Sequence, residues 1–262
     1  MTADGVAYVL DNTGENELER LRLLESVWDP GTTARLTALG VGAGWRCLEL
    51  GAGGGSITRW LCDRVGPTGV VTAVDLEPRF LEADPRPNLE IHRRDIVVDG
   101  VPGEGYDLIH TRFLLMHLPD RDRLVAELVG RLRPGGTILL EESDFHAIAG
   151  AESKLYVEVW GEACAAGAET GGDWSFGRTL PTTLTAAGLV GVKAAVEGTI
   201  FAGGEAMAGV TAMTWEHMTP RLVARGYPAD RLAAGIAELS DPTLWFPSCG
   251  TVAAWGQRRA QG

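Results

Sequence analysis

Long apolar runs, basic clusters and paired cysteines are all missing from this chain of 262 residues. No window approaches the ~18 uninterrupted apolar residues that a membrane-spanning helix needs, so no membrane partner is expected. Lys and Arg number 23 against 35 Asp and Glu, a formal net charge of −12. No cationic run stands out, which argues against nucleic acid, since a phosphate backbone is neutralised by clustered Lys and Arg. Cys47, Cys62, Cys164 and Cys249 form no CxxC pair and read as small buried hydrophobes in a reducing compartment, not as a disulfide framework or a zinc site. Met1 to Asn12 has neither the basic start nor the apolar stretch of a secretory leader, so a cytoplasmic location is expected. With 45% apolar and 22% charged residues, the composition is that of a soluble globular protein, one large α/β domain or a core with insertions. Its substrate is expected to be small, and neutral or cationic.

What is present is concentrated in Cys47-Leu48-Glu49-Leu50-Gly51-Ala52-Gly53-Gly54-Gly55-Ser56-Ile57-Thr58, followed by Val70-Val71-Thr72-Ala73-Val74-Asp75. An apolar strand runs into a glycine turn and then a helix, and a second apolar strand ends on a carboxylate. Glycine allows positive φ and removes the Cβ atoms that would hold a ligand off the main chain. The helix start offers unpaired N–H groups. Asp75, at the end of the second strand of a βαβ unit, is placed for both hydroxyls of a ribose. Together these describe a nucleoside-cofactor site. The dinucleotide fingerprint asks for a third glycine where Ser56 stands, which weakens a pyrophosphate reading. Glu49 adds a strand-end carboxylate suited to a cationic cofactor, and S-adenosylmethionine carries a sulfonium and an ammonium.

With these residues the chain resembles the class I S-adenosylmethionine-dependent methyltransferases, in their ubiquinone-biosynthesis-like branch. Glu49 to Gly55 is similar to their first motif and Asp75 to the acid of their second. Arg94-Asp95-Ile96 is similar to the segment that holds adenine, and Tyr106 to Leu118 to the fourth-strand motif. Leu132-Arg133-Pro134-Gly135-Gly136 is similar to the turn into strand five. Five segments in the family's order over residues 46 to 142 carry the likeness. It implies a Rossmann-like α/β fold with a seven-stranded, mostly parallel sheet, helices on both faces and helical cap insertions. It also implies a cofactor site of Glu49, Gly51, Ala52, Gly53, Gly55, Ser56, Asp75, Leu76, Asp95, Ile96, Thr111 and Arg112. There Thr111 would offer its carbonyl to the cofactor ammonium. Arg112 would pair with the cofactor carboxylate or bridge to Asp107.

Alternation of strand and helix from Trp45 to Glu142 predicts a parallel sheet, with strands over 46–50, 70–75, 89–93, 106–110 and 137–142. Ahead of it, residues 1–44 read as an N-terminal helical segment or lid, broken at Pro30-Gly31. The domain proper spans 45–262, with cap insertions at about 150–176 and 203–240, a sixth strand over 189–201 and a last over 248–255. Gly171-Gly172-Asp173-Trp174 reads as a flexible turn carrying an exposed aromatic.

For the acceptor side, Tyr8, Trp160, Trp174, Trp215 and His217 are the expected substrate-pocket residues, because they lie in lid-like segments. Trp28, Trp45, Trp60 and Trp255 read as core filling. His146, in the loop leaving strand five, is the expected general base, oriented by Asp144. His110 and His117 read as packing or capping residues. Glu141, Glu142, Asp144 and His146 could be read as metal ligands, but Thr111-Arg112 stand where a partner acid would be needed, and no metal is expected. The reaction that follows is methyl transfer to an O, N or C nucleophile of a small molecule with an apolar part, as in bacterial natural-product tailoring. A homodimer is compatible with this reading. Two alternatives stand beside it. One is a cyclisation or rearrangement on the same fold that does not spend the methyl group. The other is an NAD(P)-dependent reductase, disfavoured by Ser56 and by the lack of a Tyr-x-x-x-Lys pair after strand five.

Overall fold

The computed structural model describes residues 17–260. A first helix, α1 (Glu17–Ala38), leads into β1 (Arg46–Leu50), α2 (Ser56–Val65), β2 (Val70–Asp75), the short α3 (Arg79–Glu82) and β3 (Leu89–Arg93). Then come β4 (Tyr106–Arg112), α4 (Arg121–Arg131), β5 (Leu132–Asp144), α5 (Lys154–Ala168), α6 (Leu180–Ala186) and β6 (Val190–Glu197). The chain closes with β7 (Ile200–Ala202), α7 (Ala206–Ala224), α8 (Ala229–Glu238), β8 (Trp245–Pro247) and β9 (Gly250–Gln257). Seven strands form one sheet in the order β3-β2-β1-β4-β5-β9-β6, and β7 pairs with β8 in a separate ribbon. The pairs among β1 to β5 are parallel, and β9 runs antiparallel to both β5 and β6. This is the α/β sheet that the sequence implied.

Strand alternation divides the apolar residues between two faces. Leu48, Ile109 and Leu140 pack with Leu128 of α4 and Leu184 of α6 on one side. Cys47, Leu108 and Leu139 pack with Leu61 of α2 and Leu36 of α1 on the other. A third core lies outside the sheet, where α5, α7 and α8 close around Tyr156, Trp160, Met218, Leu232 and the fully buried Trp215. All four cysteines are free thiols. Among the described residues no helix is long and apolar enough to cross a membrane.

Three local expectations are corrected. Pro30 does not break α1, which runs through it. Its ring removes one backbone donor, but Thr32 and Arg35 bond to Glu141 and Arg112 bonds to Asp29, so tertiary contacts hold the second half in line. The expected sixth strand splits at Gly198-Thr199. Ser248 donates its N–H to the Thr199 carbonyl and accepts the Thr199 N–H on Oγ, and the chain turns off the main sheet into the β7–β8 ribbon. Trp174 is not exposed: only 4% of its surface is accessible. The Asp173 N–H donates to the Met116 carbonyl at 2.7 Å, and Gly172 passes so near that carbonyl that a Cβ would lie 2.9 Å from it. The loop is thereby drawn down onto the end of β4 and carries the indole inside.

Candidate active site

At the carboxyl edge of the parallel strands the sheet opens into a cavity of about 250 Å³, where open α/β sheets bind their ligands. Its two ends differ in chemistry.

One end is built by the strand tips. Gly51 and Gly53 take φ values of 70° and 54°, so the loop can fold back over β2. Asp75 braces it: Oδ2 accepts the Gly53 N–H at 2.8 Å and Oδ1 the Glu77 N–H at 2.9 Å. A carboxylate has about four acceptor sites, so each oxygen can still take a ligand hydroxyl. Asp95 likewise accepts the Val97 N–H at 2.9 Å while facing the cavity beside Ile96. The start of α2 is occupied by the chain itself, for Glu25 of α1 accepts the Ser56 N–H at 3.2 Å. Burial pushes the Glu25 carboxyl above its usual range. A pyrophosphate approaching this helix end would meet a carboxylate, which counts against a dinucleotide.

Beneath this end runs a row of buried charge. On the face where Cys47, Leu108 and Leu139 pack apolar, the same alternation two residues further along brings up Glu49, His110 and Glu141. His110 is fully buried, with Nδ1 3.4 Å from Glu49 Oε1 and Nε2 3.1 Å from Glu141 Oε2. Burial opposes its charge, but the two carboxylates outweigh that and raise it to about 9. Burial likewise pushes Glu141 up, and His110, Arg35 and Thr32 bring it down to about 2. Glu142 points the opposite way and accepts the backbone N–H groups of Leu114, Leu115 and Met116 at 3.2, 2.8 and 3.2 Å. Burial holds it up to about 8 against those donors. The alternation therefore splits the Glu141–Glu142 pair, and among the described residues no three His, Cys, Asp or Glu gather as metal ligands.

The other end is apolar and aromatic. Phe145 packs on Trp160 with centroids 4.8 Å apart and on Trp174 at 5.5 Å, and Trp28 meets Phe113 edge-on at 5.0 Å. Phe113 is held at φ 53°, a strained conformation for an aromatic residue, directly after β4. His117 stands edge-on to Trp174 at 5.7 Å, and burial, with Arg20 nearby, lowers it to about 3, so its imidazole is neutral. Arg20 is itself paired with Glu17, its two nitrogens at 2.9 and 2.6 Å.

Of the residues singled out in the sequence, Glu49, Gly51, Ala52, Gly53, Ser56, Asp75, Leu76, Asp95, Ile96, Arg112, Trp160 and Trp174 line this cavity. Gly55 does not. At φ 86° it caps α2, and a Cβ there would lie 2.3 Å from Leu81, so its role is the turn. Thr111 is fully buried within the sheet, paired between Leu50 and Leu140, and does not face the cavity. Arg112 bridges to Asp29 at 2.8 Å and to Thr32, while Asp107 pairs with Arg133 instead. Trp215 fills the cap core, and His217 lies beside α1, with Nδ1 4.0 Å from Glu17. Tyr8 lies outside the described residues.

The expected catalytic pair is also corrected. His146 is exposed, and Asp144 accepts its backbone N–H and pairs with Arg178 rather than orienting its ring. The period of two at the end of β5 turns Ser143 and Phe145 to the cavity and Asp144 and His146 away. That signal was available in the sequence. Trp28, read as core filling, lines the cavity and donates its indole N–H to Thr251 Oγ1 at 2.7 Å. Phe113, Met116, His117, Met207, Val210 and Cys249 join it there. No sequence pattern marked the last three.

Comparison with known proteins agrees with this geometry. Residues 48–138 match the family model described as "Methyltransferase domain". The chain is 29% identical over 157 residues to "Methyltransferase str2" of Strobilurus tenacellus, covering 58% of this chain and 55% of that protein. It is 28% identical over 111 residues to the ubiquinone/menaquinone biosynthesis C-methyltransferase UbiE of Hahella chejuensis, covering 39% and 45%. The chain thus spans about half the length of these curated relatives. Among solved structures, Haemonchus contortus phosphoethanolamine N-methyltransferase 2 in complex with S-adenosyl-L-methionine superposes with a TM-score of 0.59 at 16% identity, over 98% of this chain and 61% of that one. A putative sarcosine dimethylglycine methyltransferase from Galdieria sulphuraria gives 0.54 at 13%, over 96% and 93%. At these identities the structural likeness speaks for the fold.

Proposed function

We propose that the chain is a class I S-adenosylmethionine-dependent methyltransferase, and that it methylates a small molecule with an apolar body seated in the aromatic end of the cavity. The observation that carries this is the continuity of the two ends: Glu49, Asp75 and Asp95 open into the same space as Phe145, Trp160 and Trp174. S-adenosylmethionine supplies a sulfonium methyl that a nucleophile can displace in line.

The residues present suit that cofactor. Asp75 can accept from hydroxyls, Asp95 and Ile96 line the same cavity, and Glu49 brings a buried carboxylate oxygen, Oε2, that has no partner among the described residues. Arg112 adds one cation at the rim of the sheet. The protein's part is then to bind, orient and exclude water. Trp28, Phe113, Phe145, Trp160 and Trp174 form a wall that favours a flat or greasy acceptor. His117 is the histidine that reaches this wall. Neutral and weakly basic, it can accept a hydrogen bond from the acceptor, but it offers little driving force for removing a proton at neutral pH. This favours acceptors that arrive as ready nucleophiles, as tailoring of natural products often presents them.

Nothing in the cavity favours a rearrangement that keeps the methyl group, and Glu25 at the start of α2 opposes a dinucleotide. The test is direct. Calorimetry should find one S-adenosylhomocysteine site per chain, and incubation with S-adenosylmethionine and a panel of aromatic and aliphatic acceptors should release S-adenosylhomocysteine with at least one of them. Absence of binding would refute the reading. Product formation from an acceptor without S-adenosylhomocysteine release would move it to a rearrangement.

A further inference from the structure

His110 is a fully buried titratable group that the proposed chemistry leaves without a role. It sits below the cavity, and its two nitrogens reach one carboxylate on each neighbouring strand: Glu49 on β1 and Glu141 on β5. Glu141 is anchored in turn by α1, through the Thr32 hydroxyl at 2.6 Å and Arg35 at 2.7 Å. Thr32 Oγ1 also accepts from Arg112 at 2.8 Å, and Arg112 pairs with Asp29. The open end of the row is at Glu49, which His110 Nδ1 meets at 3.4 Å as a charge contact without hydrogen-bond geometry. Its Oε1 is turned to the imidazole while Oε2, equally buried, has no partner among the described residues. A buried carboxylate oxygen without a donor is costly, and the cost falls when a ligand supplies one.

We propose that His110 is a positioning residue of the cofactor site, holding the Glu49 carboxylate so that Oε2 stands ready for the ammonium of the cofactor's amino-acid arm. This rests on the reading of the cavity as an S-adenosylmethionine site. The charge of His110 suits the task, because a positive ring between two carboxylates holds both without competing for the ligand's cation. The arrangement also makes α1 a partner in cofactor capture, since Thr32 and Arg35 fix the far side of the same clamp. A purely structural account, in which the row only staples α1 to the sheet, predicts no preference among ligands.

The two accounts separate by comparing S-adenosylhomocysteine with 5′-methylthioadenosine, a nucleoside thioether that lacks the amino-acid arm. Calorimetry on the full chain should show that His110→Gln weakens S-adenosylhomocysteine roughly tenfold or more and leaves methylthioadenosine unchanged. Equal loss for both ligands, or loss for neither, would overturn the positioning role. Failure of the unmodified protein to bind either ligand would instead remove the cofactor-site reading. Should His110→Gln not fold, Glu49→Gln, which relieves the buried charge, must show the same selectivity. Nitrogen NMR of the histidine rings in the unmodified protein at pH 7.5 gives a second reading. The His110 ring should carry protons on both nitrogens and shift with S-adenosylhomocysteine but not with methylthioadenosine. A singly protonated ring, or one that ignores the ligand, contradicts the proposal.

Discussion

His110 and His117 lie on β4 and the turn directly after it, both are buried, and they are driven in opposite directions. At the cofactor end, two carboxylates brought up by strand alternation overcome burial and raise His110 to about 9. At the acceptor end, aromatic walls and a neighbouring Arg20 leave burial unopposed, and His117 falls to about 3. One end of the cavity is an ordered electrostatic floor, and the other an apolar chamber. On the proposed function, the difference teaches how a methyl-transfer site can be divided: fixed charges on rigid strand tips would meet the polar, charged arms of the cofactor. The proposed acceptor would be met by shape, from helices and loops whose core is separate from the sheet's.

The strongest test of that division breaks the cap core alone. Trp215→Ala removes the largest fully buried side chain from the packing of α5, α7 and α8. It should cost about 3–5 kcal/mol of stability, measured by urea denaturation. Because Trp215 does not face the cavity, S-adenosylhomocysteine affinity of the folded fraction should hold. A parallel loss of cofactor affinity would mean the two ends are not separable.

Next in size is the converse change. Asp75→Ala should weaken S-adenosylhomocysteine by ~1.5–3 kcal/mol, the weight of charge-assisted hydrogen bonds, with part of the effect from releasing the Gly53 N–H. Unchanged affinity in calorimetry would sink the ribose assignment.

The histidine pair predicts a pH dependence of opposite sign at the two ends. His110 is held above its ordinary 6.5, at about 9, so its contribution to stability is complete below 6.5 and is lost as the pH rises through about 9. His117 is held down to about 3, so its contribution is complete above 6.5 and is lost as the pH falls through about 3. Glu141, held at about 2 against an ordinary 4.5, loses its share only below 4.5, whereas Glu142, held up to about 8, loses stability as the pH rises from 4.5 and so opposes His117 up to 6.5. Relative to the unmodified protein, urea midpoints should therefore fall less steeply from pH 6.5 to 9 in His110→Gln, and rise less or fall more from pH 4.5 to 6.5 in His117→Asn. Loss of the same slope in both variants would erase the contrast.

The smallest expected effect concerns His146. As an exposed residue turned from the cavity, its replacement by Ala should leave kcat, KM and the pH profile unaltered. A large fall in kcat would return it to the active site and require the loop after β5 to rearrange on binding.

Much of the strand-tip end of the cavity is legible in the sequence. Gly51, Gly53 and Asp75 carry their meaning locally, because a glycine turn between strand and helix and a carboxylate at the next strand tip are consequences of a few adjacent residues. The acceptor end was read less well, and the errors have distinct causes. Trp28 and Trp215 are both tryptophans on helical stripes, and which of them faces the cavity depends on how α1 and α7 roll against their neighbours. Asp144 and His146 suit a general-base pair by residue type, but the alternation of β5 gives the inward places to Ser143 and Phe145. Pro30 was read as a helix end because the cost of one missing N–H is local, whereas the bonds from Thr32, Arg35 and Arg112 that offset it are long-range.

By itself, the sequence determined the α/β class, the strand tips and the identity of the polar groups those tips present to the cavity, since those follow from short-range periodicity and from the backbone freedom of glycine. Only the tertiary structure decided that Glu49, His110 and Glu141, distant in sequence, share one buried row, and that Trp28, Phe145 and Trp174 share one wall. Side-chain charge and packing depend on neighbours brought together by sheet register and helix docking, and no single segment of the chain contains that information.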